Sequence, residues 1–464
     1  MTQENEKRSE SMTSSITFVH LSDIHFTGQS GTTIHDLDAD VRNELARDAS
    51  SVLADLSSPA GVLVTGDIAF SGLQAEYERA AEWLETFCSA IGCPQENVWV
   101  VPGNHDVDRR VTAASKITRT LQKTLRDASA KDVDAELCEI SCDQQSANAL
   151  LSPLADYNSF AARYQCSLSA EKPFWERDVS LACGTLIRLR GLCSVMVSGA
   201  DDAKANLVLG VAQVSVPRTT GVEYLTLCHH PPDWLIDQDT VVDHLESKVR
   251  VQLFGHKHSQ RIKSINETVR LTAGAMHPER GDAWEPMYNI IELGRYDANT
   301  IGIRVFQRRW NKGNCQFVAE PDPNSNRDYY EHVWHDCPTP AFSDSDPNSQ
   351  ETSRERTEAV PFNTEPKAAS QTVSQVKSIK STAVPVTNYE RRLTYRFLTL
   401  PFRHQIAIAQ RLDVLTDDDR ALAGESLYRI LFKRAVTEGK LELLWKKTEE
   451  YHKDPGSENP FAGR

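Results

Sequence analysis

Short apolar runs alternate with amphipathic stretches over the first hundred residues. ITFVHL, GVLVTG and NVWVVPG each read as a buried strand, because a brief apolar run bounded by turn formers fits a strand covered on both faces. Between them, a stretch from about Asp36 to Leu56 and the segment AEYERAAEWLETFCSA place apolar residues at helical spacing. Strands alternating with helices predict an α/β sheet covered by helices. From about Arg110 to Gln165 the pattern turns polar and helical, as in SKITRTLQKTLRDAS and SANALLSPLADYNSFAARY, and predicts a helical insertion. Short strands return from about Lys172 to Phe306: TLIRLRGLCSVMVSG, GVEYLTLC, KVRVQLFG, TVRLTAGAM, YNIIEL and IGIRVF. Their density predicts a second sheet packed on the first.

Three segments depart from this pattern. Residues 1–15 are polar and predict a disordered leader. Residues 339–386 are rich in Ser, Thr, Pro and charge, too poor in apolar surface to offset their ordering entropy, and predict a disordered linker. Residues 387–464 recover apolar periodicity and predict a small domain of four or five helices. Its expected core contains Leu427, Ile430, Leu431, Leu441, Leu444 and Trp445, with Pro401 in a first turn and Thr416 capping the acids Asp417, Asp418 and Asp419. The predicted division is a leader 1–15, a main domain 16–338 with its insertion at about 110–165, a linker 339–386 and a helical domain 387–464.

Composition narrows the class. The 464 residues carry 51 Lys+Arg against 65 Asp+Glu, a net charge of −14, with 40% apolar and 25% charged residues. No run approaches the ~20 apolar residues of a membrane-spanning helix. The polar start lacks the apolar core of a secretory signal, so a cytoplasmic chain is expected. The acidic balance argues against sequence-independent binding to long nucleic acid. Residues 387–464 hold 14 basic and 12 acidic side chains, so the acidic excess belongs to the rest of the chain. The ten cysteines form no CxxC pair and predict free thiols.

Five polar motifs carry the candidate chemistry: Asp23-Ile24-His25, Gly66-Asp67, Gly103-Asn104-His105-Asp106, His229-His230-Pro231 and Gly255-His256-Lys257-His258. Each directly follows a predicted buried strand, and in an open α/β sheet ligand sites collect at the carboxyl ends of strands. The five ends therefore predict one convergent site, and six of the 14 histidines fall in these motifs. Asp23, Asp67 and Asn104 offer oxygen; His25, His229, His256 and His258 offer nitrogen. That mixed set suits a pair of divalent ions, Mn foremost with Fe, Zn or Co as alternatives, better than Mg.

LSDIH, TGDI, PGNHD, CHHPP and FGHKH resemble the five signature blocks of the calcineurin-like metallophosphoesterase superfamily over roughly residues 16–310. The resemblance implies a four-layer αββα sandwich with a two-metal site at one edge. It implies that Asp23, His25 and His258 bind one ion, that Asn104, His229 and His256 bind the other, and that Asp67 bridges them. His229 rather than His230 follows from the family's H-x-P spacing. His105 corresponds to the family's non-ligand histidine near the leaving group, with Asp106 orienting it. Two cations lower the pKa of a bridging water, and the resulting hydroxide attacks phosphorus in line. The expected activity is hydrolysis of phosphodiesters in a nucleotide or nucleic acid. A phosphomonoesterase, including a protein phosphatase, and a non-catalytic scaffold are the alternatives. Loops near His35 to Asp40 and His277 to Trp284, and the pair Arg109 and Arg110, are candidates for the substrate mouth.

The stretch RFLTLPFRHQIAIAQRLDVLTDDDRALAGESLYRILFKRAVTEGKLELLW resembles the helical effector-associated adaptor domains of bacterial conflict and signalling systems. It implies docking to a protein partner through residues 387–464 and a role in bacterial defence.

Overall fold

A computed structural model describes residues 12–28, 38–276, 285–335, 337, 388–415, 419 and 424–452. The expected linker, the leader up to residue 11, the loop His277 to Trp284, His35 and the proposed Thr416 cap lie outside the described residues.

The apolar runs form thirteen strands among the described residues: β1 (Ser14–Leu21), β2 (Pro59–Val64), β3 (Val98–Val100), β4 (Phe174–Ser180), β5 (Leu186–Leu192), β6 (Val222–Cys228), β7 (Val251–Phe254), β8 (Arg261–Ile265), β9 (Thr268–Thr272), β10 (Met287–Arg295), β11 (Ile301–Asn311), β12 (Gln316–Ala319) and β13 (Tyr330–Trp334). One sheet has the order β12-β11-β10-β1-β2-β3, with β13 also paired to β11; the other has the order β4-β5-β6-β7-β9-β8. β1, β2 and β3 run parallel, as do β5, β6, β7 and β9, while β10 and β11 return antiparallel.

Two boundaries differ from the sequence reading. Ser14 and Ser15 belong to β1 rather than to a leader, because the backbone of Ser14 pairs with Arg295. β10 and β11 join the first sheet, not the second. β10 runs the full length of β1, from Ser14 opposite Arg295 to His20 opposite Asn289. This pairing satisfies the other edge of a strand whose residues Phe18 to Leu21 are fully buried.

The sheets pack face to face, with Ile187, Leu225 and Val251 of one opposite Leu293, Ile301 and Trp334 of the other. Helices cover the outer faces. Ala39–Leu53 is tied to the first sheet by Asp48, which accepts from Tyr288 and Arg308. Gln74–Ile91 starts where Glu76 accepts from the Ser71 and Leu73 amides at 2.9 and 3.1 Å, and it ends at Gly92, whose φ of +70° reverses the chain. Gln238–Lys248 lies on the second sheet, where Glu246 accepts from Arg270. The insertion is helical as expected, with helices Arg109–Ala114, Lys116–Asp127, Val133–Cys142, Gln144–Leu151 and Ala155–Ala161. All ten cysteines are free.

Four helices form the C-terminal module among the described residues: Asn388–Leu398, Phe402–Leu412, Gly424–Thr437 and Leu441–Glu449. Leu427, Leu431, Leu444 and Trp445 are buried in its own core, while Leu441 and Ile430 are half-buried. Pro401 sits at the N-cap, one residue before the expected first turn.

The module is not a free appendage: its first helix is packed on the main domain. The Arg391 guanidinium lies 4.6 Å over the Trp99 ring and donates to the Glu96 carbonyl at 2.8 Å. Gln165 donates to Thr394 at 2.7 Å, and Tyr164 meets Tyr395. Burial pulls the Arg391 pKa down to about 10.

Candidate metal centre

β1, β2, β3, β6 and β7 end at Leu21, Val64, Val100, Cys228 and Phe254, and each hands the chain to one of the five motifs. Tight turns then aim the side chains. Asp23, His25, Asp67, His256 and His258 all adopt left-handed backbone, with φ between 51° and 66°. A non-glycine residue enters this region at a cost of roughly 1–3 kcal/mol, and such residues concentrate at functional sites. Three glycines allow the turns to close. A Cβ on Gly66 would lie 2.6 Å from His229 Nδ1, one on Gly103 would lie 2.1 Å from Asp67 Oδ1, and one on Gly255 would lie 2.2 Å from Ser22 Oγ.

Asp67 occupies the centre. Its Oδ2 stands 3.6 Å from His25 Nε2 and 3.4 Å from His229 Nε2. On one side His258 Nε2 lies 3.3 Å from Asp23 Oδ1, and Asp23, His25 and His258 bring ligand atoms within 4.8 Å of one another. On the other, Asn104 Oδ1 lies 3.1 Å from both His229 Nε2 and His256 Nδ1. Donors bound to one cation at about 2.1 Å stand about 3.0–3.4 Å apart, so these spacings fit ligand atoms that share an ion. The His229 ring is fixed from behind, with Nδ1 2.7 Å from the Thr65 carbonyl, which leaves Nε2 to face the site. His230 is engaged on one side, with Nδ1 2.9 Å from Ser194 Oγ, while its ring lies 4.5 Å from that of His256, and His229, His230 and His256 bring ligand atoms within 4.8 Å of one another.

The electrostatics also fit a cation. Asp23 and Asp67 are both fully buried, and two buried carboxylates at one place require positive charge. Burial pushes the Asp67 carboxyl up, but His229, His25 and His105 overcome it and hold the group well below the usual range. Burial likewise opposes protonation of His229, yet Asp67 and Asp23 raise its pKa to about 9. Burial lowers His25 to about 4, and burial together with His229 lowers His256 to about 4. Both stay neutral at neutral pH, the form that ligates metal.

His105 is half-buried beside this cluster, its ring 4.5 Å from that of His25. Its amide donates to Asp67 Oδ1 at 2.8 Å, and its Nδ1 lies 2.8 Å from the Phe70 carbonyl. Asp106 does not orient it as expected. The Asp106 carboxylate accepts from the amides of Ile68, Ala69 and Gly103 and from the Tyr77 hydroxyl. Burial, then the Asp67 charge, raises its pKa to about 6. Asp106 thus clamps the Asp67 turn to the Asn104 turn, and the Phe70 carbonyl positions His105. Arg110 is held by Asp108 at 2.8 Å, while Arg109 is exposed.

Two mixed sheets flanked by helices, with a histidine- and aspartate-rich centre at their strand ends, define a metallophosphoesterase fold. The chain belongs to the calcineurin-like phosphoesterase family, whose model matches residues 16–260. This family binds divalent metals, and the Asp23, Asp67 and His229 group is one of those able to hold one. A second model, that of the GTPase-associated adaptor domain, matches residues 389–450.

Among curated proteins, an uncharacterised metallophosphoesterase-like protein, YydB of Bacillus subtilis (strain 168), is 32% identical over 136 residues. The match takes in 29% of this chain and 25% of that protein, so the chain spans a quarter of the length of the curated relative it matches. Among solved structures, Chaetomium thermophilum Vps29 aligns with TM-score 0.30 and 10% identity, covering 69% of this chain and 99% of that one. GAP50, the anchor in the inner membrane complex of Plasmodium, aligns with TM-score 0.37 and 10% identity over 70% and 90%. No helix among the described residues is long and apolar enough to cross a membrane.

Proposed function

We propose that the chain is a phosphodiesterase dependent on two divalent cations, manganese foremost. Asp23, His25 and His258 would hold one ion, Asn104, His229 and His256 the other, with Asp67 shared between them. The observation that carries this reading is Asp67 Oδ2, placed 3.6 and 3.4 Å from imidazoles of the two opposing groups. Two such cations supply a water of lowered pKa and neutralise charge on the phosphoryl group. The chain supplies the rest. The Thr65 carbonyl fixes the His229 ring, Asp106 holds the two turns in register, and His105 acts at the departing oxygen. Nδ1 donates its hydrogen to the Phe70 carbonyl, so Nε2 is the nitrogen left to act there, and it carries a proton only when the ring is cationic.

The domain division at about 338 and 387, a cytoplasmic setting and a role in bacterial defence complete the reading. Residues 387–464 would bring a protein partner to the enzyme, as the adaptor-domain match over 389–450 supports. The test is a panel of bis-p-nitrophenyl and mono-p-nitrophenyl phosphate with each divalent metal. Manganese-supported turnover that favours the diester is expected, with loss in EDTA. No turnover with any metal overturns the reading in favour of a scaffold, and preference for the monoester overturns the diester assignment.

A further inference from the structure

We infer that Phe70 is an aromatic platform on which the departing part of the substrate stacks, so that the centre selects phosphate esters bearing a nucleobase. The inference rests on the phosphodiesterase reading and names the substrate class for the same site.

Four large apolar side chains are exposed among the described residues: Phe70, Ile117, Val436 and Leu443. Of these, Phe70 adjoins the centre, three residues beyond Asp67, and its side chain is 41% exposed. A phenyl ring left in water forfeits burial energy, and the backbone that carries it is pinned at both ends. The Phe70 amide donates to the Phe26 carbonyl at 3.0 Å, and the Phe70 carbonyl engages His105 Nδ1 at 2.8 Å. The ring rests against His105, centroids 5.3 Å apart and planes 37° apart, and against His25 at 6.0 Å. The ring is thus flanked by two imidazoles of the centre while the residue stays 41% exposed. Such a surface binds a flat ring with little further ordering cost.

The opposite flank of the centre is built differently. There Trp234 is half-buried and meets the His256 ring edge-on at 4.1 Å, so the indole serves to hold a ligand histidine. The open aromatic thus stands on the His105 side, where the alcohol departs. A glycerol or seryl leaving group offers no ring to stack there, whereas a nucleoside does.

The test uses the full chain with manganese. Binding of AMP and of glycerol 3-phosphate is measured by calorimetry for wild type, Phe70→Ala and Phe70→Trp, and KM is measured for a dinucleoside monophosphate and for glycerophosphoethanolamine. Base–aromatic stacking predicts that Phe70→Ala weakens AMP binding and raises the dinucleotide KM by about 5- to 100-fold. The glycerol compounds are expected to change by a clearly smaller factor, and Phe70→Trp is expected to restore the preference. Equal losses for both classes, or AMP binding indifferent to Phe70, overturn the inference. If AMP binding depends on Phe70 but wild type cleaves no diester, the phosphodiesterase reading falls and the platform stands.

Discussion

The turns of the metal centre and the helices of the C-terminal module are built on opposite terms. In the centre, five of the seven proposed metal ligands hold left-handed backbone, and the buried charges there need one another. In the module, Asp413 alone among the described residues is a left-handed non-glycine, at the end of a helix where such a cap is ordinary. Its core is Leu393, Phe397, Leu412, Leu431 and Trp445, with ion pairs such as Arg396 with Glu449 at the rim. One region trades backbone comfort for aimed side chains; the other is built around an apolar core with ion pairs at its rim. Left-handed backbone is concentrated in the ligand turns, and the module carries it, among its described non-glycine residues, only at a helix cap.

Four substitutions probe this contrast. Asp67→Asn keeps a side chain that tolerates left-handed backbone and removes the central charge. Manganese-supported turnover should fall by about 10³-fold or more, and urea unfolding of the metal-free chain should lose about 3–5 kcal/mol because the buried imidazoles lose their counter-charge. Turnover retained with manganese would mean that Asp67 is no ligand. His105→Ala should lower kcat by about 10²- to 10³-fold with bound manganese, measured by elemental analysis, unchanged. Loss of metal would instead make His105 a ligand.

Asp106→Ala should act on folding first. It strands three amides and the Tyr77 hydroxyl inside the protein, at a cost of about 3 kcal/mol or more in urea unfolding, and turnover should fall only as the turns loosen. Arg391→Ala reaches the seam between the two regions. It removes a cation–aromatic contact and a hydrogen bond, for about 1–2 kcal/mol. The expected readout is faster hydrogen exchange in β3 and in helix Asn388–Leu398; unchanged exchange would show that the module is seated by other contacts.

The sequence announced the centre better than the frame around it. The five motifs stand out because metal ligands are side chains of restricted type, and each follows a strand too apolar to mistake. β4, β8, β12 and β13 escaped notice for a physical reason. FWERDVS and RIKSI are edge strands with solvent-facing polar residues, so their pattern does not differ from a loop. β10 and β11 were legible as strands, but pairing across nearly three hundred residues leaves no local trace. The Phe70 and Thr65 carbonyls, which aim two histidines, belong to the backbone and have no residue signature. Asp106 shows the converse: a motif residue whose neighbourhood in sequence suggested His105 as its partner, while the fold gives it four others.

The position of β1 also governs how the chain is made. β1 can pair with β2 once residue 64 has emerged, but its second edge is claimed by β10, which ends at Arg295. At about 5–20 residues per second, that partner follows on the order of 12 to 46 s later. For that interval the growing chain presents an apolar strand edge, and all seven proposed ligands have been made before the edge is closed. Metal capture and protection from aggregation thus compete within the same window of synthesis, which makes the nascent chain, rather than the finished protein, the state most exposed to failure.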